Sequence, residues 1–153
     1  MIKEDINHPA GSAIKQLSAF IPNRVGALMS LTKLLKDYSI TILGMSLQDS
    51  TEMTLVRLVL TDPDSAAILF IEKGIPHTQS EIVVVELDLE SHSMVQCMSE
   101  LLEAKINIDF CYSLLVQPHG QPLLAMHTPN ADLAASALTC SGFKVLMQED
   151  LSR

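Results

Sequence analysis

The stretch Pro22-Asn23-Arg24-Val25-Gly26-Ala27-Leu28 decides how this chain is read. Its counterpart 66 residues on, Asp88-Leu89-Glu90-Ser91-His92-Ser93-Met94, holds the same place with different chemistry. A shift of 66 carries Leu28 onto Met94, Leu35 onto Leu101, Ile40 onto Ile106, Ile42 onto Ile108 and Pro63 onto Pro129. An apolar pattern that survives such a shift marks an internal repeat, and a repeat sets the architecture before any single element does. The turn does not survive the shift: Gly26 falls on His92 and Arg24 on Glu90. A duplicated core with one divergent loop points to binding by that loop in one copy.

Outward from the turn, the periodicities predict six elements per copy. Ile14 to Phe20 reads as a strand. Leu28, Leu31, Leu35 and Tyr38 then set one apolar face of a helix that ends near Asp37. Ile40 to Gln48 and Met53 to Leu60 read as strands joined by the polar turn Asp49-Ser50-Thr51-Glu52. Asp62 caps a second helix, Pro63 opens it and Gly74 with Pro76 stops it. His77 to Ser80 is a short closing strand. The second copy starts with a strand at Glu81 to Leu87, followed by a capping box of Ser93 and Gln96. Met94, Met98, Leu101 and Leu102 form its helical stripe. Ile106 to Val116 and Leu123 to Met126 are its hairpin strands, Asn130 to Gly142 its second helix, Phe143 to Met147 its last strand and Gln148 to Arg153 a tail. The expected fold class is α+β: two ferredoxin-like βαββαβ units with antiparallel sheets and helices on one face. The expected division is a tail at 1–13, one unit at 14–80 and a second at 81–150.

Bulk properties narrow the function. Half of 153 residues is near the size where one core is only marginally stable, so the units are expected to pack on each other or on a second chain. A net charge of -8, from 10 basic and 18 acidic residues, argues against nucleic acid, whose phosphates demand a basic footprint. Cys97, Cys111 and Cys140 are odd in number and show no paired spacing, which fits a reducing compartment; a cytoplasmic protein is expected. No stretch approaches the ~20 apolar residues of a membrane span. His8, His77, His119 and His127 lack paired ligand spacing, so no metal is expected. Six scattered glycines form no phosphate-cradling loop, and no cofactor is expected. Ser91-His92-Ser93 has no supporting acid, so no catalytic residue is assigned and the chain reads as a non-enzyme.

Asn23, Arg24, Gly26 and Leu28 on the turn, followed by Ser39-Ile40, Ile42 and Gly44-Met45-Ser46 in the second strand, resemble the ACT domain, a small-molecule sensing module. Lys105-Ile106-Asn107-Ile108-Asp109-Phe110-Cys111-Tyr112 resembles the matching strand of tandem ACT proteins that carry no catalytic domain. The resemblance covers about residues 14 to 150. It implies a regulatory protein, commonly a homodimer, that binds a free amino acid or similar small carboxylate between this turn of one unit and the second strand of another. The implied ligand-binding residues are Asn23, Arg24, Val25, Gly26, Ala27 and Leu28 on the turn, with Ile42, Leu43, Gly44 and Met45 on the facing strand. Val25 departs from the family pattern, which often has Pro there; the change adds an N–H and loses some preorganisation.

Elementary chemistry supports the turn. A helix N-terminus offers unpaired N–H groups to a carboxylate. Gly26 permits close backbone approach, Asn23 donates or accepts, and Arg24 can face a carboxylate. Plainer readings stand beside these: Gly26 easing a tight turn, Asn23 as a helix cap, Arg24 as a solvated side chain, Gly44 as a bulge or close packing point. Arg57, in an apolar strand, is expected on a solvated sheet face or beside an acid. The second turn, with His92 and Glu90, is given no site. The alternative function is a ligand-free structural or interaction module; a small ferredoxin-like enzyme is a third reading without a catalytic set.

Overall fold

The computed structural model describes residues 11–152; residues 1–10 of the expected tail, with His8, and Arg153 lie outside them. The first unit comprises β1 (Ile14–Pro22), α1 (Ala27–Asp37), β2 (Ile42–Asp49), β3 (Met53–Leu60), α2 (Pro63–Glu72) and the first part of β4 (His77–Glu86). The second comprises the rest of β4, α3 (Met94–Glu103), β5 (Phe110–Ser113), β6 (Leu123–His127), α4 (Ala131–Cys140) and β7 (Lys144–Leu146); a short α5 (Gln148–Leu151) follows.

β4 is one unbroken strand where two were expected. His77 to Ile82 pair with β1, Val83 to Glu86 pair with β6, and Val84 to Glu86 pair also with β7. The run Ile82 to Val85 is apolar and buried, so nothing in it breaks an extended backbone. Each sheet then has the antiparallel order of the ferredoxin-like unit: β4-β1-β3-β2 in the first and β7-β4-β6-β5 in the second, with β2 and β5 at the free edges.

Alternation along the strands builds three cores. In β1, Leu17, Ala19 and Ile21 face Leu31 and Leu35 of α1 and Leu69 and Phe70 of α2. In the second unit, Val83, Val85 and Met126 face Cys97 and Leu101 of α3 and Leu138 of α4. The opposite strand faces meet each other: Ile14, Val59 and Ile82 of the first sheet pack with Val84, Ala125 and Leu146 of the second. The molecule is therefore four layers, helices outside and two sheets face to face. Buried Gln16 sits in this seam, its Oε1 accepting from the Tyr112 hydroxyl at 2.6 Å. Burial pushes the Tyr112 pKa up, so the hydroxyl keeps its proton and donates. Arg57 does not face solvent or an acid. Its guanidinium lies 3.8 Å from the Phe110 ring centre, because the sheet face it occupies is covered by the second unit.

The repeat is offset by 66 at first and by 68 later. Leu17 pairs with Leu58 and Val83 with Met126, so the first strands differ by 66 and the third by 68. The longer second hairpin loop adds the difference. Pro63 thus corresponds to Ala131 at the start of α4, and the Pro63–Pro129 match is a coincidence of the uniform shift. Ser39 and Lys105, 66 apart, share a left-handed backbone with φ of 59° and 56°, each closing its first helix. The strand expected over Ile106 to Val116 shrinks to Phe110–Ser113. Beyond it the Leu115 N–H crosses to the Leu43 carbonyl at 2.8 Å, which ties β5 to the bulge in β2 and ends the ladder. The expected tail folds as α5: Leu151 is buried in the seam, and Gln148 Nε2 donates to the Leu60 carbonyl.

Candidate functional site

β1 ends at Pro22, opposite Met53. The chain then turns over the hairpin tip, where the Asn23 N–H donates to the Glu52 carbonyl at 3.1 Å and Asn23 Nδ2 to the Ser50 carbonyl at 3.0 Å. Asn23 is thus neither helix cap nor groove lining; it pins the turn to the hairpin. The N-cap of α1 is Gly26, at φ 87°, with no side-chain cap hydrogen bond. That left-handed conformation strains any residue bearing a Cβ. Among the described residues, the Val25 and Gly26 amides meet no acceptor.

Beside the turn lies an open groove of about 580 Å³. Arg24, Val25, Gly26 and Ala27 form its rim with Ser30; Leu31 and Leu34 of α1 and Ile21 of β1 form the apolar wall; Lys73 and Ile75, after α2, close the far side. Arg24 and Lys73 make no ion pair among the described residues, and no acid lines the groove. Val25 projects fully into solvent at the tip. Leu28 turns inward and packs on the first core.

The facing-strand residues lie elsewhere. Gly44 pairs with Val59, itself opposite Gln16, whereas the turn follows Pro22; the run between is about 20 Å at the rise of a strand. Leu43 is buried in the seam with its carbonyl taken by Leu115. A Cβ on Gly44 would press on the end of the Leu114 side chain, which would have to turn aside in the seam to admit it. Ile42 and Met45 pack against the first core. One chain therefore joins Arg24, Val25, Gly26 and Ala27 in one groove and leaves Ile42, Leu43, Gly44 and Met45 at the other end of the sheet.

The second unit fills the equivalent groove with its own side chains. Gly26, Leu34, Lys73 and Ile75 are replaced by His92, Glu100, Ser141 and Phe143. The last pair is fixed by matching bonds, Ile75 N–H to Phe70 carbonyl and Phe143 N–H to Leu138 carbonyl. The His92 ring sits 4.8 Å from the Phe143 ring, edge to face. Ser141 Oγ donates to Glu100 Oε2 at 2.7 Å, latching the far side. The turn amides are occupied too: Asp88 Oδ1 accepts from the N–H groups of Glu90, Ser91 and His92 at 3.0, 2.9 and 2.9 Å. The hydrogen bond from the His92 backbone is the main cause that holds the Asp88 carboxyl below its ordinary value, with Glu90, the His92 ring and Ser91 adding to it. Position 22 of the first unit is proline, which brings no carboxylate to its own amides. The divergence of the second turn was legible in the sequence; Lys73 was not, because it depends on where distant segments meet, whereas Ser30 and the Asp88 cradle are local features that the sequence reading passed over.

Burial is the main cause that pushes the Cys97 thiol up to about 11, with Cys111 adding to it, so the thiolate nucleophile is scarce at neutral pH. All three cysteines are free thiols. Among the described residues, no cluster of three or more His, Cys, Asp or Glu is placed to hold a metal ion, and no helix is long and apolar enough to cross a membrane.

Comparison with known proteins places this geometry. No curated protein matches the chain. Protein BT0572 from Bacteroides thetaiotaomicron has a similar crystal structure, with a TM-score of 0.83 at 19% identity over 92% of this chain and 96% of that one. The ligand-free regulatory subunit of aspartate kinase from Thermus thermophilus is similar with a TM-score of 0.58 at 10% identity, over 85% of this chain and 93% of that one. The corresponding subunit from Thermus flavus gives a TM-score of 0.54 at 14% identity, over 86% and 94%. At these identities the likeness is one of fold. A family model described as an ACT domain pair matches residues 12–153, and the chain belongs to that family.

Proposed function

We propose that this chain is a non-catalytic regulatory protein that senses a small carboxylate, of the free amino acid class, at the turn of its first unit. The observation that carries this reading is the contrast between equivalent grooves. One is open, rimmed by Arg24 and Lys73, with two amides that meet no acceptor; the other is filled by His92, Glu100 and Asp88. Regulatory subunits among the structural relatives are consistent with it. In this reading residues 14–80 are the ligand-responsive unit and residues 81–150 its fixed partner. Asn23 holds the turn, and Arg24, Val25, Gly26 and Ala27 meet the ligand. Any wall supplied by Ile42 or Met45 comes from a second copy, since within one chain they lie at the far end of the sheet.

A ligand that binds only the folded state raises the unfolding midpoint. At a hundredfold excess over its Kd the stabilisation is about 2.7 kcal/mol. Thermal unfolding of the purified chain against the twenty amino acids and matching small carboxylates is expected to show a selective rise. The rise should be lost in Arg24→Ala/Gly26→Val while the variant still unfolds cooperatively. An unchanged response in that variant removes the site from this turn. A flat response to every compound favours a second reading, in which the pair is a ligand-free interaction module. The self-filled second groove is the observation behind that alternative.

A further inference from the structure

We infer that a second copy of this chain covers the side of the molecule where β2 and β5 end their sheets, and that it pairs unlike units: α1 of each copy lies against α3 of the other. Two observations carry this, an apolar flank on α3 and a charge divided unevenly between the units. Cys97 and Leu101 bury one face of α3, and Glu100 turns toward the end of α4, where Ser141 Oγ donates to it at 2.7 Å. The remaining flank looks away from α4, over the edge of β5, which is free among the described residues. It carries Val95, Met98 and Leu102 at the spacing of one helical face. Val95 is 78% exposed, Leu102 77% and Leu89, on the turn before the helix, 98%. Leu89, Met94 and Val95 also line a hollow of about 400 Å³ with Leu87 and Pro122. An exposed apolar surface of this kind beside an unpaired strand edge marks an interface. The equivalent flank of α1, over the edge of β2, carries Met29, 67% exposed, and Lys36. Leu115 N–H donates to the Leu43 carbonyl, so the β2 and β5 edges lie on the same side of the molecule. One twofold axis can therefore match both edges and both flanks of two copies, which closes the assembly at a dimer.

Charge chooses between like and unlike pairing. The whole net charge of -8 lies in residues 81–150, which hold 10 acidic and 2 basic side chains, while residues 14–80 hold 6 of each. α3 carries Glu100 and Glu103 and no Lys or Arg, with Glu90 on the turn before it. α1 carries exposed Lys33 and Lys36, with Arg24 before it and Asp37 as its one acid. Pairing α3 with α3 sets one acidic unit against another, whereas pairing α1 with α3 sets cations against acids. With the two helices antiparallel, Lys36 approaches the partner's Glu90 and Arg24 approaches the partner's Glu103, while Met29 meets the partner's apolar flank. Opposed like charges disfavour a contact, and complementary ones fix which surfaces meet.

Sedimentation equilibrium of the full chain without ligand tests this. The parent is expected to be a dimer at micromolar concentration, and Val95→Glu/Leu102→Glu a monomer with unchanged far-ultraviolet circular dichroism. Lys33→Glu/Lys36→Glu and Glu90→Lys/Glu103→Lys should each weaken the dimer about tenfold or more, and all four changes in one chain should recover most of that loss. Pairing of like units predicts otherwise, because each changed helix would still face its own sign and neither charge variant alone would weaken the dimer. A dimer that survives Val95→Glu/Leu102→Glu, or that both charge variants leave intact, overturns the inference. A monomeric parent overturns it as well and leaves the α3 flank to a different protein. The pairing requires no ligand, so either failure leaves the sensor reading standing.

Discussion

At the scale of single residues, two glycines the sequence treats alike have different jobs. Gly26 has open space where a Cβ would stand and is required by its left-handed φ. Gly44 lies against the end of the buried Leu114 side chain, which would have to turn aside to admit a Cβ. Gly44→Ala should therefore destabilise the protein by about 1–3 kcal/mol, the usual cost of overpacking a tight core. Leu114→Ala should also be destabilising, through a cavity. The double variant should cost less than the sum of the two, since each change relieves the other. Denaturant unfolding of the four proteins checks this, and additivity would mean that the two residues do not share the space. Both glycines stand out in the sequence, but only the packing of one sheet on another assigns Gly44 to the seam.

At the scale of elements, the two strand-to-helix turns show one backbone problem solved twice. The first leaves amides open; the second closes them with Asp88. Asp88 has a carboxyl held below its ordinary value of 3.8, so it contributes stability that is present above that value and lost as pH falls through its lowered folded value. Asp88→Asn has nothing to protonate in that window. Its unfolding midpoint should lie below that of the parent at neutral pH, and the gap should narrow as the solution is acidified. Thermal unfolding as a function of pH measures the gap; a gap that stays constant would show that Asp88 acts through shape alone. The helices and their caps were legible from spacing, with Asp62, Ser93 and Asn130 capping as read. Strand ends were not. The second hairpin strand stops at Ser113 because Leu115 bonds to Leu43, a partner 72 positions earlier that no local pattern reveals.

At the scale of the whole molecule, the two units are joined by more than succession. β4 serves both sheets, the seam buries aliphatic side chains from each, and Tyr112 reaches across to Gln16. α5 closes the end of the seam, with Leu151 buried in it and Ser152 Oγ donating to the Thr61 carbonyl of the first unit. Leu151→Ala should cost about 2–4 kcal/mol, as for other buried leucines. The loss should appear in a single cooperative transition by both calorimetry and circular dichroism. Two separated transitions would mean that the units fold independently.

The sequence by itself determined the repeat, most of the element order, the caps at Asp62, Ser93 and Asn130 and the divergence of the second turn. Each of these is written in local spacing: a helical face repeats every few residues, a cap lies beside the amide it serves, and a duplicated pattern can be compared with itself. Tertiary structure alone decided that the sheets meet face to face, that Arg57 lies over Phe110, that Lys73 joins the first groove and that Glu100 with His92 closes the second. Those outcomes depend on groups far apart in the chain, brought together when the bare sheet faces left by one-sided helix packing are buried against each other.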